Sequence, residues 1–179
     1  MSELVAAAFH ESGHAVATVW AFRDAKWLPK PPPALPVRYV EIIQNGRGWG
    51  GTCCGADIYS LKWPLDCIAE RYRPLMEKQV CIHLAGGISE AVHLGIRNRH
   101  EVLRFAETHC GIDDDLVKAS DVLRELFRLT GRHHDERHFA EPTLAMLLKN
   151  WPAVEALATV LVANRRIEGE VVELIIDHA

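Results

Sequence analysis

The residues with the clearest chemical potential are His10, Glu11 and His14, which form the pattern His-Glu-x-x-His. On a helix, two histidines four positions apart lie one turn apart on the same face, with Cβ atoms about 5–6 Å apart. That spacing allows both imidazoles to bind one Zn²⁺, and it places Glu11 close enough to take a proton from a water molecule at the metal. Such a short pattern also arises by chance on helices with two exposed histidines. The rest of the chain must therefore show whether this pattern marks a metal site.

The elements around this pattern can be predicted from periodicity and turn residues. Residues 2–23 contain no proline and carry apolar residues at helical spacing, and Ser2 is suited to cap the helix N-terminus. A proline-rich connector over residues 27–36 is expected to be a stiff, solvated link rather than a motif for a proline-binding module. Residues 37–43 and 49–53 are β-branched or glycine-rich runs with turn residues between them, which predicts a β-hairpin.

The remaining segments are predicted to be helical, so the expected fold class is mainly α (α+β), with a small β-hairpin or edge strand near residues 37–54. Pro74 is expected to kink or interrupt one helix, and Gly131 is expected to end another. Pro142 and Pro152 are suited to the first turns of two further helices.

Length and composition predict a single domain over residues 1–179. The net charge of −4 carries no signature of nucleic acid binding, and no apolar run approaches the roughly 20 residues that span a bilayer. The first residues lack the basic start of a secretory signal, so we expect a cytoplasmic protein without a membrane or nucleic acid partner. Five cysteines, an odd number without C-x-x-C spacing, indicate reduced thiols, with a cysteine zinc site as the alternative.

A catalytic zinc usually has three protein ligands and one open position, so the two histidines need a third partner. One candidate is the acidic run Asp113–Asp115 at a predicted helix start, where carboxylates also stabilise the helix dipole. Glu90 is a second candidate, and the pair His134 and His138, again one turn apart, is a third. The residue types alone favour simple capping for the acidic run and a solvated helix start for the histidine pair.

Five segments, in the same order, resemble the peptidase domain of the FtsH-type, membrane-tethered, ATP-dependent zinc proteases. They are residues 8–17, which contain His-Glu-Ser-Gly-His, and residues 36–50, 84–91, 111–120 and 164–170. In that family the aspartate before the leucine of the fourth segment is the third zinc ligand, and this position is Asp115 here. The resemblance leaves the capping role to Asp113 and Asp114, and it makes Glu90 a supporting group for a zinc histidine or an alternative ligand.

The resemblance implies a zinc-dependent endopeptidase that binds one Zn²⁺ per chain through His10, His14 and Asp115, with Glu11 as the general base. The substrate would be an unfolded or extended polypeptide that adds as a strand to the edge of the first predicted strand. The residues expected to contact it are Val40, Glu41, Ile42, Ile43 and Gly48.

The chain also departs from that family. It contains no Gly-x-x-x-x-Gly-Lys-Ser/Thr phosphate loop, and residues 97–110 form a basic, histidine-bearing insertion. A separate ATPase or unfoldase is therefore a candidate partner, as is a second copy of the chain. Three alternatives remain open at this point: a peptidase subunit that depends on such an ATPase, a non-catalytic zinc-binding interaction domain, and a helical domain with a structural zinc.

Overall fold

The computed structural model of the chain describes residues 2–23, 35–46, 48–56, 69–109 and 115–179. Within these ranges the chain is mainly helical with one small antiparallel sheet, which confirms the predicted fold class at that level. The elements are α1 (Glu3–Phe22), β1 (Val37–Asn45), β2 (Gly48–Gly55), α2 (Ala69–His93), α3 (Arg99–His109), α4 (Asp115–Thr130), α5 (Glu136–Lys149), α6 (Trp151–Asn164), β3 (Arg166–Glu168) and α7 (Gly169–His178).

Helix α1 lies at the centre of the core and packs against α2, α6 and β2. Ser2 caps it, because its side chain accepts a hydrogen bond from the Val5 amide. Gly13 allows α2 to approach closely, since a Cβ at this position would lie 2.5 Å from the Ala85 carbonyl oxygen. The buried Ser89 hydroxyl then donates a 2.7 Å hydrogen bond to the carbonyl of Phe9. These contacts fix the register of α1 against α2.

The sheet has the order β2-β1-β3, with both pairs antiparallel. The pairing of β1 with β2 runs from Val37 opposite Gly55 to Asn45 opposite Gly48, so the predicted hairpin is confirmed. Strand β3, which follows α6, pairs with the other side of β1, with Val40 opposite Ile167. Strand β1 is therefore the central strand of the described sheet.

Strand β1, on which a substrate strand was predicted to dock, has no open edge from Tyr39 to Ile42. β3 covers β1 from Tyr39 to Glu41, and the Ile42 amide donates to the carbonyl of Arg165. The side chains of Val40 and Ile42 are buried in the core, at 0% and 1% exposure. In the part of the chain that the structure describes, the hairpin strand at the sheet edge is β2.

Several helix boundaries agree with the sequence and others do not. Gly131 follows the end of α4 with φ of 68°, and Pro152 lies in the first turn of α6, as predicted. Pro74 lies inside α2 and does not interrupt it, and Pro142 lies inside α5, so the prediction that Pro142 begins a helix is wrong. Most of the insertion at residues 97–110 forms α3.

No single helix among the described residues is long and apolar enough to cross a membrane; α5 and α6 reach that length and apolarity only as a pair bent by 76°. Cys53, Cys54 and Cys81 are free thiols. Some sequence predictions concern residues outside the described ranges: the proline-rich connector up to residue 34, Cys67, Cys110, Asp113 and Asp114.

Candidate metal centre

Three potential ligand atoms converge between α1 and the start of α4. His10 and His14 project from one face of α1, and Asp115 is the first residue of α4. The Nε2 atoms of the two histidines are 3.0 Å apart, and each lies 3.0 Å from Oδ2 of Asp115. Among the described residues, this is the one group of three histidine, cysteine or acidic side chains whose ligand atoms meet closely enough to hold a metal ion.

The outer hydrogen bonds of the two imidazoles determine which ring nitrogen faces the centre. Nδ1 of His10 lies 2.7 Å from Oε1 of Glu90, and Nδ1 of His14 lies 2.7 Å from the carbonyl oxygen of Ile82. Since both partners are acceptors, each Nδ1 carries a proton, and a neutral ring then directs the Nε2 lone pair inward. Two lone pairs and a carboxylate oxygen at mutual distances of 3.0 Å repel one another unless a cation or a proton lies between them.

The donor set and its spacing fit a small divalent ion. An ion bound tetrahedrally with bonds of about 2.0–2.1 Å separates its ligand atoms by roughly 3.3 Å, slightly more than the distances found here. Gly86 of α2 leaves the adjoining space open, because a Cβ at this position would lie 2.5 Å from both Nε2 atoms. Glycine is therefore required where α2 passes the three ligand atoms, and the residues present form a candidate metal site.

The carboxylate of Asp115 is held in its charged form by its neighbours. Burial acts to raise its pKa, but the charges and hydrogen bonds of His14 and His10 outweigh this and hold the pKa well below its ordinary range. Lys118 lies one turn further along α4, with Nζ 3.8 Å from Oδ1, while Oδ2 faces the histidines. The two carboxylate oxygens thus have different partners, and one is directed at the centre.

Glu11 lies beside the triad with its side chain 6% exposed. Burial raises the pKa of its carboxyl above the ordinary value; His14 and His10 act in the opposite direction, as does a hydrogen bond from the Cys53 backbone. The side chain packs directly against Gly51 of β2, where any Cβ would collide with it. A buried carboxylate next to a metal position, with a raised pKa, is suited to accept a proton.

The centre opens into a cavity of about 900 Å³ that is bordered by α1, β2, α2 and the start of α4. From β2 it is lined by residues 49–53 and 55, and from α2 by residues that include Gln79, His83 and Glu90. Strand β2 and α1 run in the same direction beside it, since the glycine positions 48, 51 and 55 contact Glu3, Glu11 and Thr18 in that order. The cavity is therefore a groove with the metal centre midway along it.

The structure brings together five of the side chains that the sequence selects for the site: His10, Glu11, His14, Glu90 and Asp115. Glu90 contacts the outer nitrogen of a histidine and does not belong to the converging triad. The five residues expected to hold substrate do not line the groove; they are Val40, Glu41, Ile42, Ile43 and Gly48.

The second histidine pair does not form a metal site of three such ligands among the described residues. The rings of His134 and His138 contact each other with centroids 5.0 Å apart, and Asp135 between them is the N-cap of α5, with its side chain accepting from the His138 amide. The interpretation as a polar helix start is therefore the one that the described contacts favour.

Sequence reasoning missed the contributions of α2 other than Glu90. The Ile82 carbonyl is a backbone group, so the residue type does not reveal its role. The role of Gly86 becomes visible only from the packing of α1 against α2. Gln79 and His83 share a helical face with Gly86 and Glu90, at spacings of four, three and four residues. Once Glu90 was selected as a candidate, this spacing could have predicted that Gln79 and His83 lie on the same side of the helix.

No protein-family model matches the chain, and no curated protein shows significant similarity to it.

Proposed function

We propose that this chain is a zinc-dependent endopeptidase that hydrolyses unfolded or extended polypeptides, similar in its site to the FtsH-type zinc peptidases. The observation that carries the proposal is the meeting of two imidazole Nε2 atoms and one carboxylate oxygen, 3.0 Å from one another, beside the buried Glu11 in an open groove. Structural zinc sites are closed by four protein ligands, whereas catalytic sites keep one position open.

Two chemistries share a ligand set of two histidines and one carboxylate: hydrolysis at zinc and oxidation at non-haem iron(II). Zinc is favoured here by Glu11, which follows the first histidine directly and is buried next to the triad. A carboxylate that accepts a proton has a direct role in hydrolysis of an amide. The metal content of the purified protein distinguishes these two candidates.

Bound zinc would lower the pKa of a coordinated water toward about 7 and polarise a peptide carbonyl. The roles of the chain's own residues follow from their positions. His10 and His14 supply inward Nε2 atoms, and Glu90 and the Ile82 carbonyl hold the two rings in place. Glu11 takes the proton of the attacking water and passes it to the departing amine, since it lies in reach of the same centre.

The substrate is proposed to lie along the edge of β2, which no other described strand covers, rather than along β1. Strand β2 borders the groove from Trp49 to Gly55, and its glycines at positions 51 and 55 let it pack closely against Glu11 and Thr18 of α1. Because β1 is antiparallel to both of its neighbours, an antiparallel addition continues the existing pattern. An unfolded chain can supply such a strand, whereas a folded protein cannot.

The direct test is cleavage of a permanently unfolded, fluorescently labelled protein by the zinc-loaded chain without ATP. Glu11→Gln should retain one zinc per chain and lose roughly 10²–10⁴-fold in turnover, because the ligands are intact and the base is absent. Glu107→Gln is the matched control, since Glu107 is an exposed carboxylate that lines the same groove. It should cleave like the wild type.

Cleavage by Glu11→Gln at the wild-type rate would contradict the assignment of the base. A protein that binds zinc but cleaves nothing alone, and cleaves when a nucleotide-dependent unfoldase is added, would identify a subunit of a two-component protease. Stoichiometric iron in place of zinc would contradict the proposal.

A further inference from the structure

The metal and Glu11 account for activation of water, but not for the negative charge that develops on the attacked carbonyl oxygen. A neutral hydrogen-bond donor beside that oxygen often stabilises the transition state as much as any other single group in the site. The groove wall opposite β2 is formed by α2, and this wall carries two polar side chains to which the proposed mechanism gives no role: Gln79 and His83.

His83 is placed by the same helical face that builds the metal centre. Glu90 binds His10 and Gly86 makes room for the ligand atoms, and His83 lies one turn before Gly86 on that face. Residues three apart on a helix have Cβ positions about 5–6 Å apart, and His83 lines the same groove as the three ligand residues.

Gln79 sets the protonation pattern of that ring. Its side chain is almost fully buried, at 2% exposure, and its Nε2 lies 3.1 Å from Nε2 of His83. An amide nitrogen can only donate, so the imidazole nitrogen accepts, and the proton of the neutral ring lies on Nδ1. In a neutral ring, this contact leaves Nδ1 of His83 as the donor.

The direction of the groove shows which part of a substrate His83 meets. Strand β2 runs from the Glu3 end of α1 toward Thr18, and α2 runs in the opposite direction, with Lys78 near Ala21. His83 therefore lies on the side of the C-terminal end of β2. A substrate strand antiparallel to β2 has its N-terminal part on this side, which is the part that carries the scissile carbonyl.

From these contacts we infer that His83, with its tautomer set by Gln79, stabilises the oxygen of the attacked carbonyl in the tetrahedral state. This inference rests on the proposed peptidase function and on the antiparallel substrate position. Gln79 is a positioning residue that acts through His83.

The kinetic test compares His83→Ala with the wild type on a short unfolded peptide. The expected result is a roughly 10²-fold loss of kcat with KM changed less than about threefold, because the interaction forms only in the transition state. His83→Gln retains a donor and should recover part of the loss. His100→Ala is the control, because His100 is exposed and does not line this groove.

A second measurement does not depend on turnover. A phosphinic peptide, whose tetrahedral phosphorus carries anionic oxygens, is titrated into the zinc-loaded wild type and His83→Ala, and an unmodified peptide is titrated into both in a Glu11→Gln background. His83→Ala should weaken the phosphinic peptide by roughly 10²-fold and the unmodified peptide by less than about threefold. Gln79→Met, which keeps the volume and removes the donor, should show a smaller loss of the same kind and serves if His83→Ala does not fold.

The possible outcomes distinguish the two proposals. Equal kcat and equal phosphinic-peptide affinity in His83→Ala would overturn the inference and leave the peptidase function intact. Selective loss of phosphinic-peptide binding, in a protein that cleaves nothing, would support His83 and count against turnover by the chain alone. Absence of any phosphinic-peptide binding by the zinc-loaded wild type would overturn both.

Discussion

Replacing Gly86 by alanine separates metal binding from folding at this centre. The added Cβ would lie 2.5 Å from Nε2 of both His10 and His14, whereas ordinary van der Waals contact begins at 3.4 Å. The ligand atoms must therefore move by about 1 Å, and metal sites tolerate deviations of about 0.2 Å. We expect the zinc dissociation constant to rise by at least the roughly 10–100-fold that follows from changing groups that support metal ligands.

The fold itself should survive Gly86→Ala. The colliding atoms are the far ends of two side chains, which can rotate away once no metal holds them. Alanine is also favoured over glycine inside a helix by roughly 0.5–1 kcal/mol. The metal-free variant should thus unfold at about the same denaturant concentration as the metal-free wild type.

The assay is zinc competition against a chromophoric chelator, with zinc per chain measured after dialysis. Gly46→Ala is the matched control, because a Cβ at position 46 meets no atom within 4 Å. Wild-type zinc affinity in Gly86→Ala would refute the reasoning, since the ligand atoms could not then meet where the structure places them.

The remaining predictions concern the surroundings of the centre. Asp115→Asn should abolish tight zinc binding, whereas Asp121→Asn, one acidic groove residue further along α4, should leave it unchanged, as measured by the same chelator competition. Glu90→Ala should weaken zinc binding by roughly 10–100-fold, because His10 loses the acceptor that orients it, and Glu90→Gln should lose less. Acidification should weaken zinc binding, since both imidazoles must be unprotonated to hold the metal; calorimetry in two buffers should detect proton release on binding. The carboxylate of Asp115 should not contribute to that pH dependence, because its histidine neighbours outweigh burial and keep its pKa well below the ordinary range. Ser89→Ala should reduce the free energy of unfolding by about 1 kcal/mol in urea denaturation, because the buried hydrogen bond between α2 and α1 is lost.

The three predictions on zinc binding each have a result that would contradict them. Equal zinc loss in the two aspartate variants would indicate a general electrostatic effect of the groove rather than a ligand. Unchanged affinity in Glu90→Ala would show that packing alone orients the His10 ring. Zinc binding without proton release at mildly acidic pH would mean that the metal-free site holds no shared proton.

Local sequence was sufficient for the features that depend on neighbours along the chain. The spacing of His10 and His14 places them on one helical face whatever the rest of the fold does, and Ser2 caps that helix as predicted. The hairpin followed from β-branched and glycine-rich runs around turn residues, and Gly131 ended a helix for the same kind of local reason. The role predicted for Asp115 did not follow from local sequence, because an acidic run at a helix start favours simple capping. Only the order of the five segments that resemble the FtsH-type peptidases selected Asp115 as a predicted metal ligand.

Contacts between distant segments decided the rest, because no local pattern encodes them. The sequence could not show that β3, more than a hundred residues away, covers β1 and leaves β2 as the groove edge. It could not show that the Ile82 carbonyl of α2 would accept a hydrogen bond from His14, or that the absence of a side chain at Gly86 would leave room for the ligand atoms. Both effects arise only because α1 and α2 pack closely at Gly13. The sequence by itself determined which side chains could hold a metal, and the tertiary structure determined how they are oriented and which surface leads to them.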